Sequence, residues 1–297
     1  MTTRRKFLTT ASIGGAAALA TPAIVQAQST IKWRFQTYAG GALGEHVTKP
    51  VIDYINANSN GELQVELFYA DQIVPTGELF QALQRGTIDG VHSDDDSMAS
   101  PTPLRMFGGY FPFATKHILD VPVLFNQYGL KEIWEEEYAK VGVKWISAAG
   151  QDPCNFNTKK EITSVGDLDG LRLYSFPTAG RFLAKFGVVP MNIPYEDAEV
   201  AVQTGELDGM AWSGITEDYT VGWADVTDYF LTNNISGAWI GSWFINEKRW
   251  ADLPDHLKSV VMAATEAGHT YSNQWYWGGE AAPVSYTHLT LPTKRIV

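Results

Sequence analysis

The sequence predicts an α/β fold of two similar lobes, each a mixed, mainly parallel sheet with helices on both faces. Three observations predict it. Stretches of period-2 hydrophobicity alternate with stretches of period 3.6 along the body of the chain. The segment Arg85-Gly86-Thr87-Ile88-Asp89-Gly90 has an echo in Thr204-Gly205-Glu206-Leu207-Asp208-Gly209, each a helix end, a Gly turn and a hydrophobic-Asp-Gly step into a strand. The 297 residues, 45% of them hydrophobic, can bury one large core or two lobes.

The elements follow in order. Ile31-Lys32-Trp33-Arg34-Phe35 alternates as a strand does and runs into the loop Tyr38-Ala39-Gly40-Gly41. Val51, Ile52 and Ile55 mark a helix over 47–58, which Asn60-Gly61 ends. Residues 63–69 alternate again. Leu79, Phe80 and Leu83 give the next helix an inner face, and the first Asp-Gly step leads to a short buried strand at Val91. The second half repeats the plan, with strands at 141–146, 171–174, 188–193 and 210–212 and helices at 178–186 and 195–204. A long helix is expected from Asp252, with Pro254 in its first turn and Leu257, Val260, Val261 and Ala264 on one face. Lobe I is expected to comprise 28–152 with 240–265, and lobe II 153–239 with 266–283. Ligands of such sheets sit beyond the carboxyl ends of strands, so two facing lobes make a cleft.

Both ends of the chain read differently from the body. Arg4, Arg5 and Lys6 precede a small, apolar stretch at 11–20, and Val25-Gln26-Ala27 fits a cleavage pattern. Thr3-Arg4-Arg5-Lys6-Phe7-Leu8 is a twin-arginine signature, so residues 1–27 are expected to be a signal peptide and the product soluble and periplasmic. Residues 284–297 resemble a translated sequencing adapter and are expected to be a foreign tail on a truncated chain. After the leader, 19 basic side chains face 33 acidic ones, a net of −14 with no Lys/Arg-rich run, which argues against nucleic acid as a partner. The single cysteine, Cys154, cannot form an internal disulfide and is expected to be an inert core residue.

Four blocks carry a family resemblance. They are Phe80-Gln81-Ala82-Leu83-Gln84-Arg85-Gly86-Thr87-Ile88-Asp89, Asp167-Leu168-Asp169-Gly170-Leu171-Arg172-Leu173, Phe186-Gly187-Val188-Val189-Pro190-Met191 with Ile193-Pro194-Tyr195, and Ala201-Val202-Gln203-Thr204-Gly205-Glu206-Leu207-Asp208-Gly209. In this order and spacing, over roughly 31–283, they resemble solute-binding proteins of TRAP transporters, the DctP family, and most closely its keto-acid-binding subgroup. The resemblance implies a periplasmic flytrap fold, no catalysis, an organic or keto acid as solute, and delivery to the membrane subunits of a permease. It implies no cofactor, leaves a bound cation and a homodimer open, and places Trp212 at the solute as the tryptophan after the second Asp-Gly step. Two positions depart from the pattern. The arginine that grips a solute carboxylate in the family is Tyr174 here, with Arg172 at the family's lysine position. The glutamate of the cation-binding subgroup is Ala211.

The expected solute-binding residues are therefore Trp212, Tyr174, Gln151, Asn155, Arg181, Asp94, Asp95, Asp96, Asn234 and Ser236. Trp212 offers a face to a solute, and a desolvated cation over it gains about 1–2 kcal/mol. Gln151 and Asn155 lie at the first crossing between lobes, and Asn234 and Ser236 at the second. Asp94, Asp95 and Asp96 follow a strand's carboxyl end, where adjacent carboxylates favour a cation. Arg181, at a helix start, is the candidate counter-charge for an anion; without it the solute is neutral or cationic. Two other functions stay open at this point: a binding module feeding a sensor, and a secreted metal hydrolase using His92, Asp94 and Asp96.

Overall fold

The computed structural model of the chain describes residues 30–289 and 295–296, with side chains to Gly279. The expected signal peptide and the side chains of the expected foreign tail lie outside the described residues.

Up to the first crossing the chain forms β1 (Ile31–Thr37), α1 (Gly41–Val47), α2 (Lys49–Asn58), β2 (Leu63–Phe68), α3 (Leu79–Arg85), β3 (Gly90–Ser93), α4 (Asp120–Gln127), α5 (Leu130–Ala139) and β4 (Val143–Gly150). Between crossings come β5 (Phe156–Thr158), β6 (Arg172–Ser175), α6 (Pro177–Leu183), β7 (Val189–Met191), α7 (Ala198–Thr204), β8 (Gly209–Ala211), α8 (Ile215–Thr220), α9 (Trp223–Val226) and β9 (Tyr229–Leu231). The chain then returns as β10 (Ile240–Asn246), α10 (Glu247–Ala251), α11 (Asp255–Leu289) and β11 (Arg295–Ile296).

Two sheets result, ordered β2-β1-β3-β10-β4 and β11-β9-β5-β8-β6-β7. β1 is parallel to β2 and β3, while the returning β10 is antiparallel to β3 and β4. In the second sheet β6 is parallel to β7 and β8, and β5 is antiparallel to β8 and β9. Each sheet is therefore mixed, because each receives an antiparallel strand at a crossing.

The repeated Asp-Gly step has one structural job in both sheets. Asp89 Oδ2 accepts the Arg34 N–H at 2.7 Å, and Asp208 Oδ2 accepts the Arg172 N–H at 2.9 Å. The carboxylate thus ties the strand that follows the turn to its parallel neighbour, β1 in the first sheet and β6 in the second. Gly86 and Gly205 end the preceding helices in the left-handed region, at φ 74° and 80°. At Gly205 an added Cβ meets nothing within 4 Å, so the cost of a side chain there is conformational alone. Gly205→Ala is expected to lower stability by about 1 kcal/mol, read as a fall in the urea midpoint at unchanged slope.

The first sheet is covered on both faces. Leu79, Phe80, Val91, Trp134, Trp145 and Phe244 pack on one side, and Trp33, Phe35, Val51, Trp243 and Leu257 on the other. The remaining core belongs to neither lobe alone. It joins Tyr38, Leu43 and Tyr110 of the first lobe to Leu173, Phe176 and Trp212 of the second, with Trp239 and Tyr276 between them. The lobes are thus closed on each other over an aromatic seam. Among the described residues no helix is long and apolar enough to cross a membrane.

Candidate solute-binding cleft

The hinge is a two-stranded ribbon. Gln151 N–H bonds Trp239 O at 3.0 Å, Trp239 N–H bonds Asp152 O at 2.9 Å, and Cys154 N–H bonds Ser236 O at 2.9 Å. Helix α11 forms a third link, since it packs on α2 and also holds α8, whose Thr216 Oγ1 donates to Tyr276 O at 2.9 Å. These connections carry Gln151, Asp152, Trp239 and Tyr276 to the floor of the cleft.

The second lobe supplies an aromatic stack. Trp212, one residue past β8, lies between Phe176 at 3.6 Å and Tyr174 at 4.4 Å, both nearly parallel to it. Tyr195 meets Trp212 edge-on at 5.9 Å. From the first lobe, Tyr38 packs on Trp239 at 4.8 Å, and Tyr110 meets Phe176 at 4.9 Å. Aromatic side chains from both lobes thus meet in one buried cluster.

Within these walls sits Glu217, on the first turn of α8. Its Oε1 accepts from the Tyr195 hydroxyl at 3.0 Å, and its Oε2 from the Tyr276 hydroxyl at 3.1 Å. The carboxylate is 2% exposed, and among the described residues no basic side chain pairs with it. Burial first, and then the neighbouring Asp218 charge, push its carboxyl well above the usual range. Asp152 places a second carboxylate beside the hinge. It accepts from the Tyr110 hydroxyl at 3.0 Å and from the Gly214 N–H at 2.6 Å, joining the two lobes. Burial raises the phenols of Tyr38, Tyr110 and Tyr276, and the charges of Asp152 and Glu217 raise each further. No Lys or Arg side chain is buried among the described residues. The ionised form of Glu217 beside Asp152 is costly in this setting, and a cation would relieve it.

The expected site residues divide. Trp212 and Tyr174 stack within this cluster, and Gln151 Oε1 lies 3.4 Å from both the Tyr38 and the Tyr276 hydroxyls. Asn155 is instead a brace, its Nδ2 donating to Leu231 O and Thr232 O. Ser236 bonds Thr115 inside the hinge at 3.0 Å. Asn234 is exposed at an outer groove of about 400 Å³ with Phe113, Phe182 and Phe186.

The three adjacent aspartates point three ways, because the chain turns tightly after β3. Asp94 accepts the N–H groups of Asp96 and Ser97 and, at 3.2 Å, the Trp239 indole, so it braces a cleft wall. Asp95 faces into the first lobe, where Tyr138 and Trp134 donate to it. Asp96 faces the second lobe and accepts the Thr178 N–H at 2.6 Å. Arg181 is half-exposed and 3.7 Å from Asp96, so it cannot serve a solute anion in the closed cleft. Arg172 is engaged by Asp208 through two bonds of 3.0 Å.

The metal-hydrolase reading loses its geometry. His92 stacks on Trp243 at 4.2 Å, bonds Thr48 at 2.9 Å, and has its pKa pulled down to about 3 by burial. Among the described residues no group of three or more His, Cys, Asp or Glu is placed to hold a metal ion. Burial pushes the Cys154 thiol up, which keeps it protonated.

Sequence reasoning missed Glu217, Asp152, Tyr38, Tyr110, Tyr195, Tyr276 and Trp239. One signal was available: Tyr195 and Glu217 flank Trp212 at short range, in the segments framing the second Asp-Gly step.

Comparison with known proteins bears on the same region. The sequence profile of the family described as bacterial extracellular solute-binding protein, family 7 (DctP), matches residues 42–282. A crystal structure of a TRAP periplasmic solute binding protein from Chromohalobacter salexigens with bound (S)-(+)-2-amino-1-propanol is 63% identical. It superposes with a TM-score of 0.87 over 90% of this chain and 83% of that one. A monocarboxylate 2-oxoacid-binding periplasmic protein from Nostoc is 26% identical over 92% of this chain and 78% of its own length. A TRAP periplasmic solute binding protein from Colwellia psychrerythraea, with bound calcium and pyruvate, shares the fold at a TM-score of 0.79 and 22% identity, over 91% of this chain and 83% of that one.

Proposed function

We propose, from the premise that the chain belongs to bacterial extracellular solute-binding protein family 7, that its cleft captures a small protonated amine. The captured amine is handed in the periplasm to the membrane subunits of a TRAP permease, and the twin-arginine leader is the export signal. The observation that carries the choice of solute is Glu217, a buried carboxyl group with two tyrosine donors and, among the described residues, no basic partner. An ammonium group supplies the missing counter-charge and places its C–H and N–H edges against Trp212, Tyr38 and Tyr195. Tyr174 supports the same reading, since it stands where the family's carboxylate-gripping arginine is expected. A keto acid would bring a further carboxylate beside Asp152 and Glu217, and on that ground the amine is proposed ahead of the organic acid that the family resemblance implies. The Chromohalobacter protein, with its bound amino alcohol, shows that a chain 63% identical to this one takes a ligand of this class.

The mechanism is capture without bond change. With the lobes apart, Glu217 and the Trp212 stack of the second lobe are wet, and the ammonium binds there first. Closure then brings Tyr38 and Tyr110 over the solute, expels water and strengthens the ion pair in a lower dielectric. A thermal-shift panel tests the solute class. (S)-2-amino-1-propanol and ethanolamine are expected to raise the melting temperature by several degrees at millimolar concentration. Pyruvate and succinate are expected to leave it unchanged, and stabilisation by the acids alone would overturn the proposal.

A further inference from the structure

Asp96 lies outside the solute space, yet it is 1% exposed and its best hydrogen bond crosses between lobes. Its Oδ2 accepts the backbone N–H of Thr178, at the start of α6, at 2.6 Å. Its Oδ1 takes Arg105 Nε from its own lobe at 3.2 Å and faces Arg181 of the other lobe at 3.7 Å. Arg181 in turn donates to Thr178 Oγ1 at 2.7 Å, so both second-lobe partners form one receptor for the carboxylate. The segment so gripped immediately follows Tyr174 and Phe176, two walls of the cleft.

We infer that Asp96 is an interlobe latch, a positioning residue that holds Tyr174 and Phe176 over the bound solute and sets the solute's residence time. The asymmetry of its partners is the reason. Arg105 travels with Asp96 when the lobes separate, so that pair survives opening. The Thr178 and Arg181 contacts exist only when the lobes meet, so their free energy belongs wholly to the closed form. A charge-assisted bond shielded from water is worth more than an exposed ion pair. Its loss therefore shows as faster release, with capture by the open form untouched. Asp94 and Asp95, whose bonds stay within the first lobe and the hinge, have no such dependence on closure.

The inference concerns closure and holds for any solute, so one of its two tests needs none. Phe113 of the first lobe and Phe182 of the second meet at the outer groove with ring centroids 5.5 Å apart. In a Phe113→Cys/Phe182→Cys protein, the extent of cross-linking in a fixed glutathione buffer reports how often the empty lobes close. Cys154 is buried and does not compete. Adding Asp96→Ala is expected to lower the effective concentration of this disulfide about tenfold. Asp96→Asn, which keeps an acceptor for the Thr178 N–H, is expected to lower it about threefold and serves if the alanine variant does not fold. Arg181→Gln should add nothing further once Asp96 is alanine. In stopped-flow measurements with (S)-2-amino-1-propanol, the off-rate should rise by the same factors at constant on-rate. Cross-linking and off-rate both equal to those of the parent protein would overturn the latch. Failure of the amine to bind the parent protein would sink the amine reading alone, because the cross-linking test still decides on Asp96.

Discussion

Glu217→Gln is expected to weaken binding of (S)-2-amino-1-propanol at least a hundredfold in calorimetric titration, while the empty protein becomes no less stable. The two signs differ for one physical reason. In the empty closed cleft Glu217 is removed from water with no basic side chain beside it among the described residues, so its charged form opposes closure. With an ammonium present the same carboxylate is half of a buried ion pair, and truncating one member of such a pair costs about 2–5 kcal/mol. Glutamine keeps the shape and can still accept from Tyr195 or Tyr276, so a general loss of structure is not the expected outcome. Unchanged affinity in a folded Glu217→Gln protein would mean that the charge reader lies elsewhere.

The second large effect is on pH. Burial and the Asp218 charge raise the Glu217 carboxyl to about 8 from an ordinary value of 4.5. A carboxyl raised in the folded state favours its protonated form there. Its contribution to the stability of the empty protein is fully present below the ordinary glutamate range and is lost as pH rises through the raised value. Solute binding runs the other way, because only the carboxylate pairs with an ammonium. Affinity is expected to climb with pH, approaching tenfold per pH unit well below the raised pKa and levelling off as pH passes it. Titrations in two buffers of different ionisation enthalpy should show close to one proton released per solute at pH 6. A flat profile, or no proton release, would place the Glu217 proton outside the binding reaction. In the Glu217→Gln protein the slope should vanish.

The alternation of β1, the helical face of α3 and the doubled Asp-Gly step were all legible in the chain, because each is a local pattern. A left-handed Gly at a helix end and a carboxylate immediately before the next strand carry their geometry with them. The same holds for Trp212 and Tyr174, whose places follow from being at the ends of β8 and β6. The direction of a side chain on a tight turn is a different matter. Asp94, Asp95 and Asp96 look identical in sequence, yet one braces Trp239, one enters a lobe core and one reaches Thr178. Arg181, read as a counter-charge for an anion, is engaged by the last of these carboxylates.

The amino-acid sequence by itself determined the paired sheets, the cleft between them and the absence of the usual arginine at Tyr174, since periodicity, turn residues and motif spacing all act over a few residues. The sign of the charge inside the cleft was decided only by the tertiary structure. Thr216-Glu217-Asp218 reads as an ordinary acidic first turn of a helix, as a solvated α8 would carry. It became a buried carboxylate because α11 lays Tyr276 over it and Tyr195 closes the side. Burial is a property of what surrounds a residue, and here the surroundings come from segments about 20 and 60 positions away along the chain.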